Sequence, residues 1–201
     1  MIAIIDYGMG NLRSVQKAIE AVGEHADVTG DPDRVRLADR VVLPGVGAFA
    51  DAIAELRRTG LGDAFIDAVR AGKPCLGVCL GLQLLFDTSE EDGEHAGLGL
   101  LPGRVARFPQ RPGLKVPHMG WNTLEIQREV PLLKGLATEA SVYFVHSYHA
   151  RPEHATDLVA TADYGGPFAA IVGRDNLVAC QFHPEKSQRV GLQMYRNFLN
   201  S

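Results

Sequence analysis

A three-layer α/β fold is predicted for this chain, with a mixed sheet that is parallel in its core, extended by antiparallel strands and covered by helices on both faces. Three observations predict it. The first half alternates short apolar strand patterns with amphipathic helical ones, which implies parallel strands joined through helices. From Gly103 onward the pattern changes to short strands separated by turn residues, which suits antiparallel pairing. The 201 residues, 46% hydrophobic and 22% charged, suit one globular domain, 1–201, with a sizeable core.

The elements follow in order. Met1 to Asp6 reads as a buried strand. Asn11 to Val22 reads as a helix, with Leu12, Val15, Ala18, Ile19 and Val22 at helical spacing. Arg40 to Leu43 is the next strand, followed by the turn Pro44-Gly-Val-Gly47 and by helices over Phe49 to Arg58 and Leu61 to Ala71. Pro74 to Val78 repeats the strand pattern and Leu80 to Phe86 reads as a helix. Ser89 to Gly99, acidic and glycine-rich, reads as a surface loop. Strands are then expected over Gly103–Phe108, Trp121–Ile126, Ser141–Val145, Leu158–Ala162, Ala169–Val172 and Leu177–Gln181, some of them extending the main sheet. Ser187 to Leu199 closes as a helix.

Composition excludes several classes. A net charge of −4 argues against a nucleic-acid partner, which needs a basic surface. The basic stretch Arg104 to Lys115 has two readings, a solvated strand and loop or a contact for an anionic ligand or acidic surface. The apolar run Cys75 to Phe86 is too short to span a bilayer, and Met1 to Asp6 lacks the features of a signal peptide, so a cytoplasmic location is expected. Three cysteines do not make a disulfide framework. Cys75 and Cys180 lie in apolar strand runs as small core residues.

Cys79 differs, because Gly77-Val-Cys79-Leu-Gly81 places it at a strand-to-helix elbow with a glycine two positions away on either side. Such a turn holds a side chain out at the carboxyl end of a sheet, where α/β folds bind ligands. A helix N-terminus beneath the sulfur favours a thiolate. A cysteine still needs a base, since its ordinary pKa is about 8.5. His183 supplies one, and Glu185, two residues on in an extended segment, projects to the same side and can orient the ring. In α/β-hydrolases the acid precedes the histidine, so the order here separates this chain from that pattern. The glycines of Pro44-Gly-Val-Gly47 let the backbone N–H groups of Val46 and Gly47 turn toward a developing negative charge, together with that of Leu80. Taken singly, such a turn is usually only a turn, and a buried cysteine is usually packing. His146 and His149, three apart at a strand end, lie on opposite faces and do not share a metal. No metal and no cofactor are predicted.

Six segments carry a family resemblance: Asp6-Tyr-Gly-Met-Gly-Asn11, Pro44-Gly-Val-Gly47, Gly77 through Phe86, Pro117-His-Met-Gly-Trp-Asn122, Tyr143-Phe-Val-His-Ser-Tyr148 and Gln181-Phe-His-Pro-Glu-Lys-Ser187. They resemble class I, triad-type glutamine amidotransferases, a flavodoxin-like fold, and more closely the glutaminase subunits of imidazole glycerol phosphate synthase. The resemblance implies hydrolysis of glutamine, with Cys79 as nucleophile, His183 as acid and base and Glu185 as orienter. It implies that Gln83, Glu91, Ser147 and Tyr148 hold the substrate head group. Glu91 also makes physical sense as an acceptor for an ammonium, although as a solvated carboxylate of the Glu90-Glu91-Asp92 loop it has a second reading. The implied partner is a cyclase subunit, a (β/α)8 barrel forming a heterodimer and receiving ammonia, with Asn11, His118, Trp121, Tyr143 and Lys186 facing it. Trp121 fits a core position or an interface anchor. Rival readings are the glutaminase of pyridoxal phosphate synthase, another cysteine hydrolase, and a scaffold that has lost its chemistry.

Overall fold

The computed structural model describes residues 1–201. Its elements run β1 (Ile2–Ile5), α1 (Leu12–Glu20), β2 (Ala26–Thr29), α2 (Pro32–Leu37), β3 (Arg40–Gly45), α3 (Phe49–Thr59), α4 (Leu61–Arg70), β4 (Cys75–Cys79) and α5 (Leu80–Gln83). Then come β5 (Phe86–Ser89), β6 (His95–Ala96), β7 (Leu101–Arg107), β8 (His118–Thr123), β9 (Glu125–Ile126), β10 (Ser141–His146) and β11 (Tyr148–Pro152). The last are β12 (Leu158–Asp163), β13 (Pro167–Arg174), β14 (Leu177–Cys180) and α6 (Gln188–Leu199). The main sheet has the order β2-β1-β3-β4-β14-β13-β12-β9. Its first five strands are parallel and the last three antiparallel, the mixed sheet expected.

Alternation along β1 shows how the layers form. Ile2 and Ile4 pack on one face with Val15 and Ile19 of α1 and Phe198 of α6. Ala3 and Ile5 pack on the other with Val35 of α2, Phe49 of α3 and Phe65 of α4. Successive strand side chains point to opposite faces, so a wholly apolar strand buries both. Removing a Phe or Ile side chain from water contributes about 1.5–3 kcal/mol, and Phe49, Phe65, Ile4 and Ile5 are all fully buried. Gly60, at φ +72, ends α3 in the left-handed conformation and starts α4 in the same step.

Several elements depart from the sequence expectation. The helix expected over Leu80 to Phe86 is one turn only, and the chain re-enters a strand at Phe86. Every residue of that run is buried, so periodicity carries no signal there. The Ser89–Gly99 loop contains the short strand β6. β2 and α2 were not anticipated. α2 has a recognisable start in Asp31, whose carboxylate accepts from the Asp33 N–H at 2.9 Å, followed by Pro32 in the first turn. The later strands do not all extend the main sheet: β8 and β10 form a separate pair, and β7 joins β11, β5 and β6. No helix is long and apolar enough to cross a membrane.

Candidate active site

The parallel pairings bring the chemistry together. Cys79 ends β4, and its register partner on β3 is Gly45, so the Pro44–Gly47 turn leaves the sheet beside the sulfur. On the other flank Cys180 of β14 pairs with Val78, so the chain continuing through Gln181 to His183 emerges on the opposite side of the same strand end. One strand end thus receives the nucleophile, the glycine turn and the histidine from three adjacent strands.

The elbow geometry explains its glycines. Cys79 has φ +56 and ψ −110, a conformation rare for a residue with a side chain, and such a conformation costs on the order of 1–3 kcal/mol. The turn is tight enough that a Cβ on Gly81 would collide with the carbonyl oxygen of Leu43, and one on Gly45 with the Tyr7 hydroxyl and the Leu80 side chain. Because α5 is one turn long, the field at the sulfur comes from the unpaired N–H groups of that first turn rather than from a long macrodipole.

His183 is 2% exposed, and its Nδ1 lies 2.7 Å from Oε1 of Glu185, whose side chain is also buried. Burial works against an imidazolium, but the neighbouring Cys79 sulfur and the hydrogen-bonded Glu185 carboxylate override it and raise the pKa to about 10. The His183 backbone is fixed as well. Its N–H donates to the Tyr143 carbonyl at 3.0 Å, and its carbonyl accepts from Ser187 Oγ at 2.7 Å, while that oxygen accepts from the Tyr143 N–H at 3.0 Å. Cys75 and Cys180, the other free thiols, are fully buried. Burial pushes Cys75 up to about 12 and Cys180 well above its ordinary value.

A cavity of about 280 Å³ opens over the sulfur, lined by Val46, Gly47, Cys79, Leu80, Gln83, Glu91, Ser147, Tyr148 and His183 among others. The structure therefore gathers every residue singled out for catalysis, charge stabilisation and substrate binding into one pocket, except Glu185, which stands behind His183. Glu91 does more than line it. Its Oε2 accepts from the Phe49 N–H at 2.8 Å, capping α3, whose own N-cap residue Ala48 offers no side-chain acceptor. Burial raises the Glu91 pKa, opposed by that hydrogen bond. Gln83 is committed too: its amide nitrogen donates to the Tyr148 carbonyl and to Gln181 Oε1, both at 3.0 Å. That leaves its oxygen for a ligand.

Gln181 was missed by sequence reasoning. It is fully buried and its Nε2 lies 4.0 Å from the Cys79 sulfur. The only signal was its place two residues before His183, on the same side of an extended segment.

The five residues expected at a partner surface divide. Lys186 is exposed, Trp121 is 49% exposed, and Asn11 and Tyr143 are half-buried. Trp121 meets Tyr143 edge-on, with ring centroids 6.0 Å apart, so the core position weighed for Trp121 is not the one it takes. His118 is 3% exposed, a wall residue rather than a surface one, because Phe144 and Tyr164 stack on its two sides. No group of three or more metal-ligating side chains comes together.

Comparison with known proteins agrees with this geometry. The family model of glutamine amidotransferase class-I matches residues 3–201. The chain belongs to the class-I glutamine amidotransferase family. Among its relatives within this family, the imidazole glycerol phosphate synthase subunit HisH of Syntrophotalea carbinolica is 59% identical, over 98% of both chains. The subunits of the same name from Desulfitobacterium hafniense and Geobacter sulfurreducens are 54% and 52% identical, each over 98% of this chain and over 93% and 97% of their own. Of solved structures, PurLQS from Thermotoga maritima superposes with a TM-score of 0.79 at 20% identity, over 99% of this chain and 97% of that one. A crystal structure of a glutamine amidotransferase gives 0.77 at 20%, over 100% and 98%. At that identity the two structures speak for the class-I amidotransferase fold alone.

Proposed function

We propose that residues 1–201 work as one unit, the glutaminase subunit of imidazole glycerol phosphate synthase, in the cytoplasm and in histidine biosynthesis. The observation that carries the chemistry is His183, which shares a pocket with Cys79 and is held 2.7 Å from the buried Glu185 carboxylate behind it. Relatives at 52–59% identity over nearly the whole chain support the choice of synthase.

In this reading the thiolate of Cys79 attacks the side-chain amide carbon of glutamine. The N–H groups of Val46, Gly47 and Leu80 receive the developing oxyanion. His183, carrying the proton, gives it to the departing ammonia and leaves a γ-glutamyl thioester. Water then attacks the thioester, His183 takes a proton from it, and glutamate leaves with the thiolate restored. Glu185 holds the ring by Nδ1 so that Nε2 does this work. Gln83 Oε1, Glu91, Ser147 and Tyr148 hold the amino-acid head group. No cofactor takes part.

Ammonia released into water becomes ammonium, so the product needs a covered route. The partner is the cyclase subunit, a (β/α)8 barrel in a heterodimer, seated on the face that carries Trp121, Tyr143, Asn11 and Lys186 and covering the pocket mouth at Val46. Val46 is 40% and Met119 62% exposed, apolar surface of the kind that interfaces cover. The test is glutamate production with and without that barrel and its nucleotide ligand. Strong stimulation is expected. No glutamate under either condition overturns the reading.

A further inference from the structure

From the pocket wall, which includes His146, a line of hydrogen bonds runs outward that the catalytic chemistry does not use. His146 Nδ1 is 2.8 Å from the Tyr148 carbonyl oxygen. A carbonyl only accepts, so Nδ1 carries the hydrogen and, in a neutral ring, Nε2 is the acceptor. His118 Nδ1 lies 3.0 Å from that Nε2, which makes it the donor and leaves His118 Nε2 as an acceptor. Asn122 Nδ2 stands 3.3 Å from His118 Nε2 and 2.8 Å from the Asp163 carbonyl, and Asn122 Oδ1 accepts from the Thr123 N–H at 2.8 Å, which settles the amide orientation. One assignment of hydrogens satisfies every group.

The line continues to the sulfur. The second lone pair of the Tyr148 carbonyl takes the Gln83 amide, the other hydrogen of that amide goes to Gln181 Oε1, and Gln181 Nε2 faces Cys79. Both rings are buried. Burial lowers the pKa of His118 to about 4 and of His146 to about 3, so neither gains a proton at neutral pH. At its outer end the line starts on β8 at Asn122 and His118, which flank the exposed Met119 and Trp121.

We propose that His118 and His146 are positioning residues, two imidazoles of fixed tautomer that tie the place of β8 to Gln83, Gln181 and the Cys79 sulfur. A displacement of β8 is felt at the thiol because each acceptor used in the line already holds its donor, and no link relaxes without leaving a polar group unpaired. The inference deepens the glutaminase reading and depends on it for its kinetic test only. The bland account is that both rings fill an aromatic box with Phe108, Phe144, Tyr164 and Phe168.

Two variants separate the accounts. His118→Phe fills the box but donates nothing, whereas His118→Asn keeps a donor at the Nδ1 position and loses the ring. Positioning expects His118→Phe to lower glutaminase kcat in the complex roughly tenfold and to move the alkylation of Cys79 by iodoacetamide in the free chain to higher pH. His118→Asn should stay within about threefold of the parent. The reverse order, or a His118→Phe protein indistinguishable from the parent, overturns the proposal. The unmodified protein gives an independent answer. Nitrogen-15 imidazole spectra should show both rings neutral with hydrogen on Nδ1, and hydrogen on Nε2 of either ring overturns it. These spectra and the alkylation profile hold even for a chain that hydrolyses no glutamine, so the proposal and the functional reading fail separately.

Discussion

At the amino ends of β4 and β14, Pro74, Asn176 and Leu177 help to wall a cavity of about 390 Å³, larger than the 280 Å³ pocket around Cys79 at the carboxyl ends of the same strands. The larger cavity is chemically quieter because Arg174 and Asn176, which line it, are already paired. Arg174 meets Asp157 with two hydrogen bonds, at 2.9 and 2.6 Å, and the Asn176 amide donates to the carbonyls of Val69 and Lys73 at 2.9 and 2.6 Å. At the carboxyl end the polar groups converge on empty space instead. Cys79 holds a strained φ, His183 is drawn toward the charged form, and the Gln83 oxygen and Glu91 face the pocket. Convergence of incompletely used polar groups marks a site better than volume does.

The sharpest way to break this contrast is Cys79→Ala. Loss of the nucleophile should cut glutamate formation in the complex by about a thousandfold or more, and retained activity would move the chemistry elsewhere. The same variant tests the source of the His183 shift. With the sulfur gone, burial is opposed by Glu185 alone, so the ring's pKa should fall from about 10, read by nitrogen-15 chemical shifts against pH. The linkage has a definite sign. A folded pKa above the ordinary 6.5 contributes stability that is complete below pH 6.5 and is lost as pH rises through about 10. The parent should therefore lose denaturation free energy across that window relative to Cys79→Ala.

Next in size is Glu185→Gln. The amide keeps the side chain's shape and removes the charge that favours imidazolium, so kcat should fall roughly a hundredfold while KM for glutamine stays within about twofold. A large rise in KM with unchanged kcat would instead make Glu185 a substrate ligand. Glu91→Gln should act the other way round, raising KM roughly tenfold, because its carboxylate is the acceptor offered to the substrate ammonium. It should also loosen the turn from Pro44 to Phe49, since the Phe49 N–H loses a charged acceptor; faster amide hydrogen exchange at Phe49 is the measurement.

How legible this was in the chain differs between the same two ends. The site could be read because the nucleophile, the glycine turn and the histidine segment leave three strands whose apolar runs are plain, and parallel register then places Gly45, Cys79 and the segment after Cys180 side by side. Glu185 could be read from its distance of two residues from His183. Gln181, and the double duty of Gln83 and Glu91, could not, because they depend on a side chain meeting a side chain across 98 positions and a backbone N–H across 42. The strand assignments beyond Gly103 were right as strands, and some do extend the main sheet as expected, but which of them leave it for separate sheets was not foreseen. Local alternation fixes which face of a strand is apolar and says nothing about which edge it finds. His118 shows the cost of reading a motif without depth: the resemblance implies that it faces a partner together with Trp121, yet alternation along β8 turns it inward.

The smallest expected effect on activity is also the one that tests the quiet end. Arg174→Ala strips its partner from Asp157, whose side chain is 2% exposed, whereas Arg174 itself is 37% exposed. Stranding a buried carboxylate costs several kcal/mol when both partners are buried, and solvent at the arginine reduces this to about 2 kcal/mol here. Melting should therefore fall by several degrees while kcat and KM for glutamine in the complex stay at parent values. The pairing of Arg174 with Asp157 would then be a matter of stability only, as expected of polar groups that satisfy each other. A loss of activity larger than the loss of folded protein would mean that the amino end of the sheet is coupled to the pocket after all, and the contrast between the two cavities would no longer separate structure from function.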